Sequence, residues 1–160
     1  MPTSPSPDGS KIAFSSDRDG NDEIYVMAPD GSDVLNLTNT PDNEGTADWS
    51  RVGNRIAFGY SSGSVGDGIG VYDLTTGMRK DLALPQAAQP EWSPDGSRIV
   101  FVSIRDGDFE VFTMKPDGTD LVQITNNTAW DSDPSWSSDG TQISLRSNRD
   151  GNYDIWVVDA

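Results

Sequence analysis

The chain has 160 residues, with 26 acidic and 11 basic side chains and a formal net charge of −15. So acidic a protein repels nucleic acids and anionic membranes, and we expect neither as a partner. It contains no Cys and no His, which excludes disulfides, Cys-ligated zinc and catalysis by a histidine base. No apolar run approaches the ~20 residues that span a bilayer, and residues 1–5 are not typical of a signal peptide.

One motif recurs along the chain: Ser, a short turn that usually contains Asp-Gly, and then Ile-x-Phe, or Ile-x-Leu in the last copy. The repeated serines are Ser6, Ser50, Ser93 and Ser137, spaced by 44, 43 and 44 residues. In three of the four copies a tryptophan precedes the serine: Trp49, Trp92 and Trp136. A fixed period of this length indicates a repeat architecture.

The third repeat shows how each unit folds. The segment 98–103 is rich in β-branched and aromatic residues, Asp106-Gly107 suits a hairpin turn, and 110–114 is predicted to return antiparallel. A turn at 115–119 then leads into a further strand at 121–125. No window carries the 3.6-residue period of a helical solenoid. Four antiparallel strands in about 44 residues are typical of a β-propeller blade.

We therefore predict an all-β, single-domain β-propeller over residues 1–160, built of four-stranded antiparallel blades. The repeats are predicted at about 1–45, 46–87, 88–131 and 132–160, with innermost strands near 46–50 and 133–137. The last repeat stops before an outermost strand, so its blade is predicted to have three strands. The second repeat differs, because its hairpin at 61–68 is glycine-rich and lacks the Arg-Asp-Gly turn of the others.

Several motifs resemble those of the TolB-like, WD-like β-propeller repeat family. They are Trp92-Ser93-Pro94-Asp95-Gly96, Arg105-Asp106-Gly107 and Pro116-Asp117-Gly118, with related copies at 18–27 and 149–156. The resemblance implies a bacterial, extracytoplasmic protein, periplasmic or secreted, that binds proteins or peptides. It also implies no enzymatic activity here, since catalytic relatives use a histidine or a separate catalytic domain.

The number of repeats leaves ring closure open, because the TolB propeller has six blades. Four repeats can close as a small ring, or two chains can join head to tail into an eight-blade ring. A third alternative is a segment of a larger propeller without autonomous function. We expect the homodimer, since an open stack would expose the apolar face of a terminal blade.

Two sets of side chains are candidate sites. Asp17, Asp19 and Asn21 alternate like the oxygen ligands of a calcium loop, although the competing interpretation is a hairpin turn. The second set precedes the innermost strands and is predicted to face the central channel: Asp42, Glu44, Asp48, Trp130, Asp131 and Asp133.

Two functions are consistent with the channel set. The first is a non-enzymatic scaffold that binds a protein or peptide and requires no cofactor. The alternative is a cation-binding or metal-dependent carbohydrate-active propeller, in which the channel carboxylates hold Ca²⁺. No pair of acidic residues is singled out as a catalytic acid and nucleophile.

Overall fold

The computed structural model describes residues 3–63 and 66–160, which form fifteen strands in four antiparallel sheets. Blade 1 contains β1 (Ser4–Pro5), β2 (Ile12–Ser16), β3 (Glu23–Met27) and β4 (Leu35–Asn36). Blade 2 contains β5 (Asn43–Trp49), β6 (Arg55–Ser62), β7 (Gly66–Asp73) and β8 (Met78–Ala83). Blade 3 contains β9 (Ala88–Trp92), β10 (Ile99–Ser103), β11 (Glu110–Met114) and β12 (Val122–Gln123). Blade 4 contains β13 (Asp131–Trp136), β14 (Gln142–Ser147) and β15 (Asp154–Asp159).

Each blade packs against its sequence neighbours, and its strands follow chain order from the innermost to the outermost. We call the side facing the preceding blade the leading face and the side facing the following blade the trailing face. Trailing faces carry small or β-branched side chains, such as Ala13, Ile24 and Val26 in blade 1. Leading faces carry larger ones, such as Trp49, Ile56 and Phe58 in blade 2. These six side chains are all buried, so the core consists of blade-to-blade interfaces.

The predicted all-β propeller, with four blades and a last blade that lacks its outer strand, is confirmed. Within the described residues the sheets form an open stack rather than a closed ring. Blades 1 and 4 are therefore the two ends of the stack. In residues 3–63 and 66–160 no helix is long and apolar enough to cross a membrane. Residues 64 and 65 of the glycine-rich hairpin lie outside the described part of the chain.

The recurring Ser-x-Asp-Gly motif forms a local hydrogen-bonded turn. In blade 3 the Ser93 hydroxyl donates to Asp95 at 2.6 Å and accepts from the Arg98 N–H at 2.9 Å. The same carboxylate accepts from the Ser97 N–H at 3.0 Å. Blades 1 and 4 repeat the network, with 2.6 Å between the serine hydroxyl and the aspartate at Ser6–Asp8 and Ser137–Asp139. The repeat in sequence thus encodes the turn into the second strand of a blade.

These hydrogen bonds stabilise the ionised aspartates. The serine hydroxyl, followed by the backbone N–H, lowers the pKa of Asp8, Asp95 and Asp139 to about 2. Blade 2 has Val52 in place of this aspartate, and the Ser50 hydroxyl donates instead to the Val52 carbonyl at 2.7 Å.

Three innermost strands contain a β-bulge at a residue with a left-handed backbone. Thr46, Gln89 and Asp133 have φ values of 49°, 54° and 51°, and the strand register shifts beside each of them. A bulge inserts one extra residue and redirects the side chains around it. The two strands also begin earlier than the predicted starts at 46 and 133: β5 begins at Asn43 and β13 at Asp131.

Candidate functional site

The four innermost strands line a groove of about 480 Å³ along the inside of the stack. Its polar lining includes Ser4, Thr46, Asp48, Gln89, Glu91 and Asp133. Three of these side chains come from the bulge positions, so the bulges direct polar groups into the groove. The groove is therefore a repeated feature of all four blades, and we call it the channel groove.

A chain of hydrogen bonds joins successive blades beside the channel groove. The Ser4 hydroxyl accepts a hydrogen bond from the backbone N–H of Trp49 at 2.9 Å and donates one to Asp48 at 3.0 Å. The tryptophan donors in the following bonds are likewise backbone N–H groups. Asp48 in turn accepts from the Trp92 N–H at 2.8 Å. Glu91 then accepts from the Trp136 N–H at 3.0 Å and from the Ser135 hydroxyl at 3.1 Å.

The residues of this chain occupy equivalent places in the repeat. Ser4, Asp48, Glu91 and Ser135 are 44, 43 and 44 residues apart. Each of the first three side chains holds the backbone of the next blade. We call this arrangement the inter-blade latch.

Both carboxyls of the latch are harder to ionise than free carboxyls. Burial is the main cause that raises the pKa of Asp48, and its hydrogen bonds to Trp92 and Ser4 oppose the increase. Burial likewise raises the pKa of Glu91, and the negative charge of the nearby Asp48 adds to the effect. The two carboxyls are thus held close together in a partly desolvated place beside the groove.

A second link across the groove joins two bulge positions. The Gln89 side-chain amide donates to Asp133 at 2.9 Å, and its oxygen accepts from the Asp133 N–H at 2.9 Å. A non-glycine residue with a left-handed backbone costs of order 1–3 kcal/mol, and persists where its surroundings hold it. The reciprocal hydrogen bonds supply such support at two of the three bulges.

Of the predicted channel set, Asp48 and Asp133 lie in the groove, whereas Glu44 lies at a different end of the inner strand. Glu44 is buried, and its carboxylate contacts the Arg79 guanidinium at 2.7 Å and the Thr40 hydroxyl at 2.7 Å. Burial raises the pKa of Glu44, and the hydrogen bonds to Thr40 and Arg79 oppose this.

Asp131 resembles Glu44 in its surroundings. It is fully buried and accepts from the Arg149 guanidinium at 3.0 Å and from the Asn127 amide at 2.7 Å. The structure therefore places Glu44 and Asp131 in buried ion pairs rather than in the groove lining.

The remaining two predicted channel residues also lie outside the groove lining. Asp42 is partly buried, and its backbone carbonyl accepts from the Asn21 side chain. Trp130 is 50% exposed, and its ring stacks on Phe109 with 4.7 Å between the centroids. The backbone N–H of Trp130 donates to the side-chain oxygen of Asn148 at 2.8 Å.

The first predicted set, at the hairpin of blade 1, contains side chains that bond to neighbouring protein groups. Asp19 accepts from the Tyr25 hydroxyl at 2.6 Å, and burial together with this hydrogen bond raises the pKa of Tyr25 to about 12. The Asn21 amide donates to the Thr40 carbonyl at 3.0 Å. The Asp17 carbonyl accepts from the Gly20 N–H at 3.0 Å. The last of these contacts closes the hairpin turn, and the other two join the turn to the strand that follows it and to the segment at Thr40.

Across residues 3–63 and 66–160, no group of three or more acidic side chains is arranged to hold a metal ion. Calcium binding stays a prediction, which calorimetric titration with Ca²⁺ would test. Four further groove residues were not predicted from the sequence: Ser4, Thr46, Gln89 and Glu91. The repeat spacing could have identified these four residues, because each has a counterpart 43 or 44 residues away that also lines the groove.

Comparison with known proteins agrees with the β-propeller fold of the chain. The family described as the TolB beta propeller domain matches residues 48–160. A protein TolB homolog of Chlorobium luteolum is 32% identical over 127 residues, which are 77% of this chain and 28% of that relative. The chain thus spans little more than a quarter of that relative's length.

A solved structure gives the same fold. The crystal structure of TolB from Acinetobacter baumannii matches 99% of this chain and 40% of that chain, with 22% identity and a TM-score of 0.83. Dipeptidyl-peptidase 5 of Porphyromonas endodontalis is also similar, with 28% identity over 101 residues, which are 63% of this chain and 12% of that protein. The family match covers most of the chain, and the open stack of four-stranded blades agrees with it. The chain therefore belongs to the TolB beta propeller domain family.

Proposed function

We propose that this chain is a non-catalytic, extracytoplasmic scaffold that binds a protein or peptide in the channel groove and self-associates to complete a ring. The observation that carries the binding function is the groove itself. Three bulged strands direct polar side chains into it at a cost in backbone strain, and such strain concentrates at functional sites. Membership of the TolB beta propeller domain family supports both the scaffold function and the location.

The charge of the groove favours a cationic ligand. Asp48, Glu91 and Asp133 contribute carboxylates to its lining, within a chain of net charge −15. A Lys or Arg side chain, or an N-terminal amine, of an extended peptide fits these acceptors. A groove of about 480 Å³ has room for several residues of a peptide, which is far more than a single ion occupies.

The absence of catalysis is supported by composition. The 160 residues contain no His and no Cys, so this chain cannot supply a serine–histidine or cysteine–histidine pair. Its match to a peptidase covers only 12% of that protein.

Selection from a displayed peptide library, followed by calorimetry with the selected synthetic peptide, tests groove binding. We expect basic peptides, and about tenfold weaker binding to Asp133→Gly, since ~1.4 kcal/mol corresponds to a factor of ten. Glycine keeps the positive φ at this position while removing the carboxylate. Asp106→Asn is the matched control, because it removes one charge from an exposed hairpin outside the groove lining. Equal affinity for all three proteins would refute groove binding.

Self-association is supported by the exposed trailing face of blade 4. Ile155 and Val157 are 73% and 57% exposed, whereas their counterparts Ile24 and Val26 in blade 1 are 1% exposed beneath blade 2. Two adjacent β-branched side chains on an open sheet face favour association.

The matching surface is the leading face of blade 1 in a second copy. It carries the half-buried side chains Ile12, Phe14 and Met27, in register with the blade 3 residues Ile99, Phe101 and Met114, which are buried against blade 2. Tyr25 on the same face is already buried in the single chain, with the Arg18 guanidinium over its ring at 4.7 Å. The new junction lacks one inter-blade latch, because Pro5 stands where Trp49, Trp92 and Trp136 supply an N–H. We therefore expect a dissociable, concentration-dependent dimer.

Light scattering across a concentration series tests this part of the proposal. We expect the mass to rise from 17.3 kDa towards twice that value with concentration. Ile155→Glu should hold the chain at the monomer mass without loss of stability, since this side chain is exposed. A monomer mass for the wild-type chain at all concentrations would refute self-association and leave groove binding untouched.

A further inference from the structure

A cleft of about 690 Å³ opens between blades 2 and 3, and it shares no lining residue with the channel groove. Sites for small molecules typically measure about 300–1,000 Å³. We call it the basic cleft, because its lining includes four of the eleven cationic side chains of the chain: Arg55, Arg79, Lys80 and Lys115. Arg79 is paired with Glu44, whereas in residues 3–63 and 66–160 neither Arg55 nor Lys80 forms a salt bridge.

The walls of the basic cleft are fixed by close contacts between the two blades. Gly96 lines the cleft, and a Cβ atom there would lie 3.2 Å from the hydroxyl oxygen of Ser50 in blade 2. Gly118 follows the lining residue Asp117, and a Cβ atom there would lie 2.9 Å from the side chain of Leu82 in blade 2. Two turns of blade 3 therefore rest directly on blade 2, and the cleft is part of the packing between the blades.

Arg55 is held in place in this cleft with hydrogen-bond donors to spare. Its guanidinium lies over the Trp92 ring at 4.6 Å and donates to the Gly96 carbonyl at 3.3 Å. Asp73 pairs with Arg55 in the ladder, but its carboxylate accepts from two backbone N–H groups of the turn that follows, at 2.8 and 3.0 Å. A guanidinium has five N–H donors. Arg55 thus presents donors to the cleft without a carboxylate partner.

Blade 3 shows what an arginine binds at this position. Arg98 corresponds to Arg55, since each directly precedes the isoleucine of the Ile-x-Phe motif. The Arg98 guanidinium donates to the carboxylate of Asp120 at 2.8 Å and to its backbone carbonyl at 2.7 Å. The arginine of blade 3 is therefore neutralised by a carboxylate of its own blade.

Blade 2 has a methionine at the place of this aspartate. Asp120 lies two residues before Val122, the outer-strand residue that pairs with the third strand, and Met78 lies two residues before its counterpart Lys80. The Met78 side chain is 69% exposed. Lys80 adds a second cation, and its Nζ reaches across the cleft to the Asp117 carbonyl at 2.9 Å. Blade 2 thus combines two cations with an exposed apolar side chain where blade 3 has its own carboxylate.

We propose that the basic cleft binds a small organic anion that joins one carboxylate to a short apolar chain. The ligand carboxylate accepts from the Arg55 guanidinium, as the Asp120 carboxylate does from Arg98, and a guanidinium suits a carboxylate with two parallel hydrogen bonds. Lys80 adds its charge, and the apolar chain of the ligand lies against Met78.

Two aspartates in the lining limit the charge of the ligand. Hydrogen bonds from the Thr76 N–H and the Thr119 hydroxyl lower the pKa of Asp73 and Asp117, respectively, so both are ionised at pH 7. These two negative charges repel a dianion more strongly than a monoanion. The basic cleft therefore favours a carboxylate over a phosphate monoester.

This site goes beyond the proposed function, because the basic cleft is separate from the channel groove and lies within blades 2 and 3. An NMR titration of the ¹⁵N-labelled 160-residue chain with hexanoate tests it. We expect saturable shifts of the amide signals of residues 78–80 and 96–97. Hexanamide, which lacks the charge, and acetate, which lacks the chain, should each bind at least about tenfold more weakly. Hexyl phosphate should also bind more weakly than hexanoate.

Substitutions at exposed positions test the assigned contacts. Lys80→Gln should weaken hexanoate binding about three- to fivefold, the range of an exposed ion pair. Lys11→Gln is the matched control, because it makes the same change in blade 1 outside the cleft lining, and it should leave binding unchanged. Met78→Asp should weaken binding at least about tenfold, since it gives Arg55 the carboxylate that Arg98 has. Met78→Ser should weaken the binding of hexanoate but not that of acetate.

Arg55→Gln should weaken hexanoate binding at least about tenfold. The Arg55 side chain covers Trp92, so the variants at the exposed residues Met78 and Lys80 decide the proposal if Arg55→Gln does not fold. Four outcomes would each overturn the proposal: no saturable shift, equal affinity for hexanoate and hexanamide, tighter binding of hexyl phosphate, or equal affinity of Lys80→Gln and Lys11→Gln. Each of them would leave peptide binding in the channel groove untouched.

Discussion

The guanidinium of Arg79 lies 2.7 Å from the carboxylate of Glu44, although the two residues are 35 positions apart. Arg79 comes from the outermost strand of blade 2, and its guanidinium lies over the Phe58 ring at 5.1 Å. In blade 4 the hairpin residue Arg149 makes the same two contacts, with Asp131 at 3.0 Å and over the Trp156 ring at 4.6 Å. Blade 2 lacks the Arg-Asp-Gly hairpin that supplies this arginine in blade 4. Arg79 of the outermost strand makes the equivalent contacts in blade 2.

Arg79→Met should destabilise the protein by about 3–5 kcal/mol, since removing one partner leaves a buried carboxylate unpaired. The variant should regain stability as the pH falls, because protonation removes the buried charge. Urea unfolding at pH 7 and pH 5 measures both effects. The double variant Arg79→Met, Glu44→Gln is the control and should recover much of the loss. A cost below about 1 kcal/mol at pH 7, the range of an exposed ion pair, would contradict the assigned burial.

Val52→Asp should stabilise the protein at pH 7. The substitution gives Ser50 the carboxylate acceptor that the other three blades have, and a hydrogen bond to a charged group contributes about 1.5–3 kcal/mol. Val52 is exposed, so little apolar burial is lost. The free energy of unfolding from urea titration is the measurement, with Val52→Asn as a neutral control that should gain less. A destabilised Val52→Asp protein would show that the turn of blade 2 cannot adopt the common network.

The turn aspartates should make the protein sensitive to acid. Their folded pKa of about 2 lies below the ordinary value near 4, so the unfolded chain binds more protons between these limits. Stability from these groups is present above pH 4 and is lost as the pH falls towards 2. In Asp95→Asn one such group is removed, so stability should fall less steeply between pH 4 and pH 2. The triple variant Asp8→Asn, Asp95→Asn, Asp139→Asn should show a still weaker dependence on pH. Thermal unfolding between pH 2 and 6 measures the slope, and parallel wild-type and triple-variant curves would contradict the assignment.

The fold was predictable because its strongest signals are local. Ser93 and Asp95 lie two residues apart and bond directly, so their spacing in sequence is their spacing in structure. Arg79 and Glu44 carry no such signal, since the contact joins the outermost and innermost strands of a blade. No pattern within either strand indicates it.

The channel set was predicted in part, and the bulges explain the rest. In a regular strand Glu44 and Asp48 would point to the same face, because side chains alternate with a period of two. The extra residue at Thr46 shifts this alternation, so Glu44 turns into the blade interface while Asp48 reaches the groove. Thr46, Gln89 and Asp133 are not the glycines that usually mark a left-handed position, so the bulges could not be predicted from residue type.

Glu91 should make stability fall as the pH rises from the ordinary glutamate value near 4.3. Its folded pKa is raised by burial and by Asp48, so the native chain binds more protons than the unfolded chain between the two values. Glu91→Gln keeps an oxygen acceptor for the Trp136 N–H and removes the buried charge, so it should be more stable than the wild type at pH 7 and similar to it at pH 4. Ser135→Ala removes a donor to the ionised form and should steepen the fall. Urea unfolding from pH 4 to 8 measures all three slopes, and an unchanged slope in Glu91→Gln would show that the latch carboxyl does not titrate as its surroundings require.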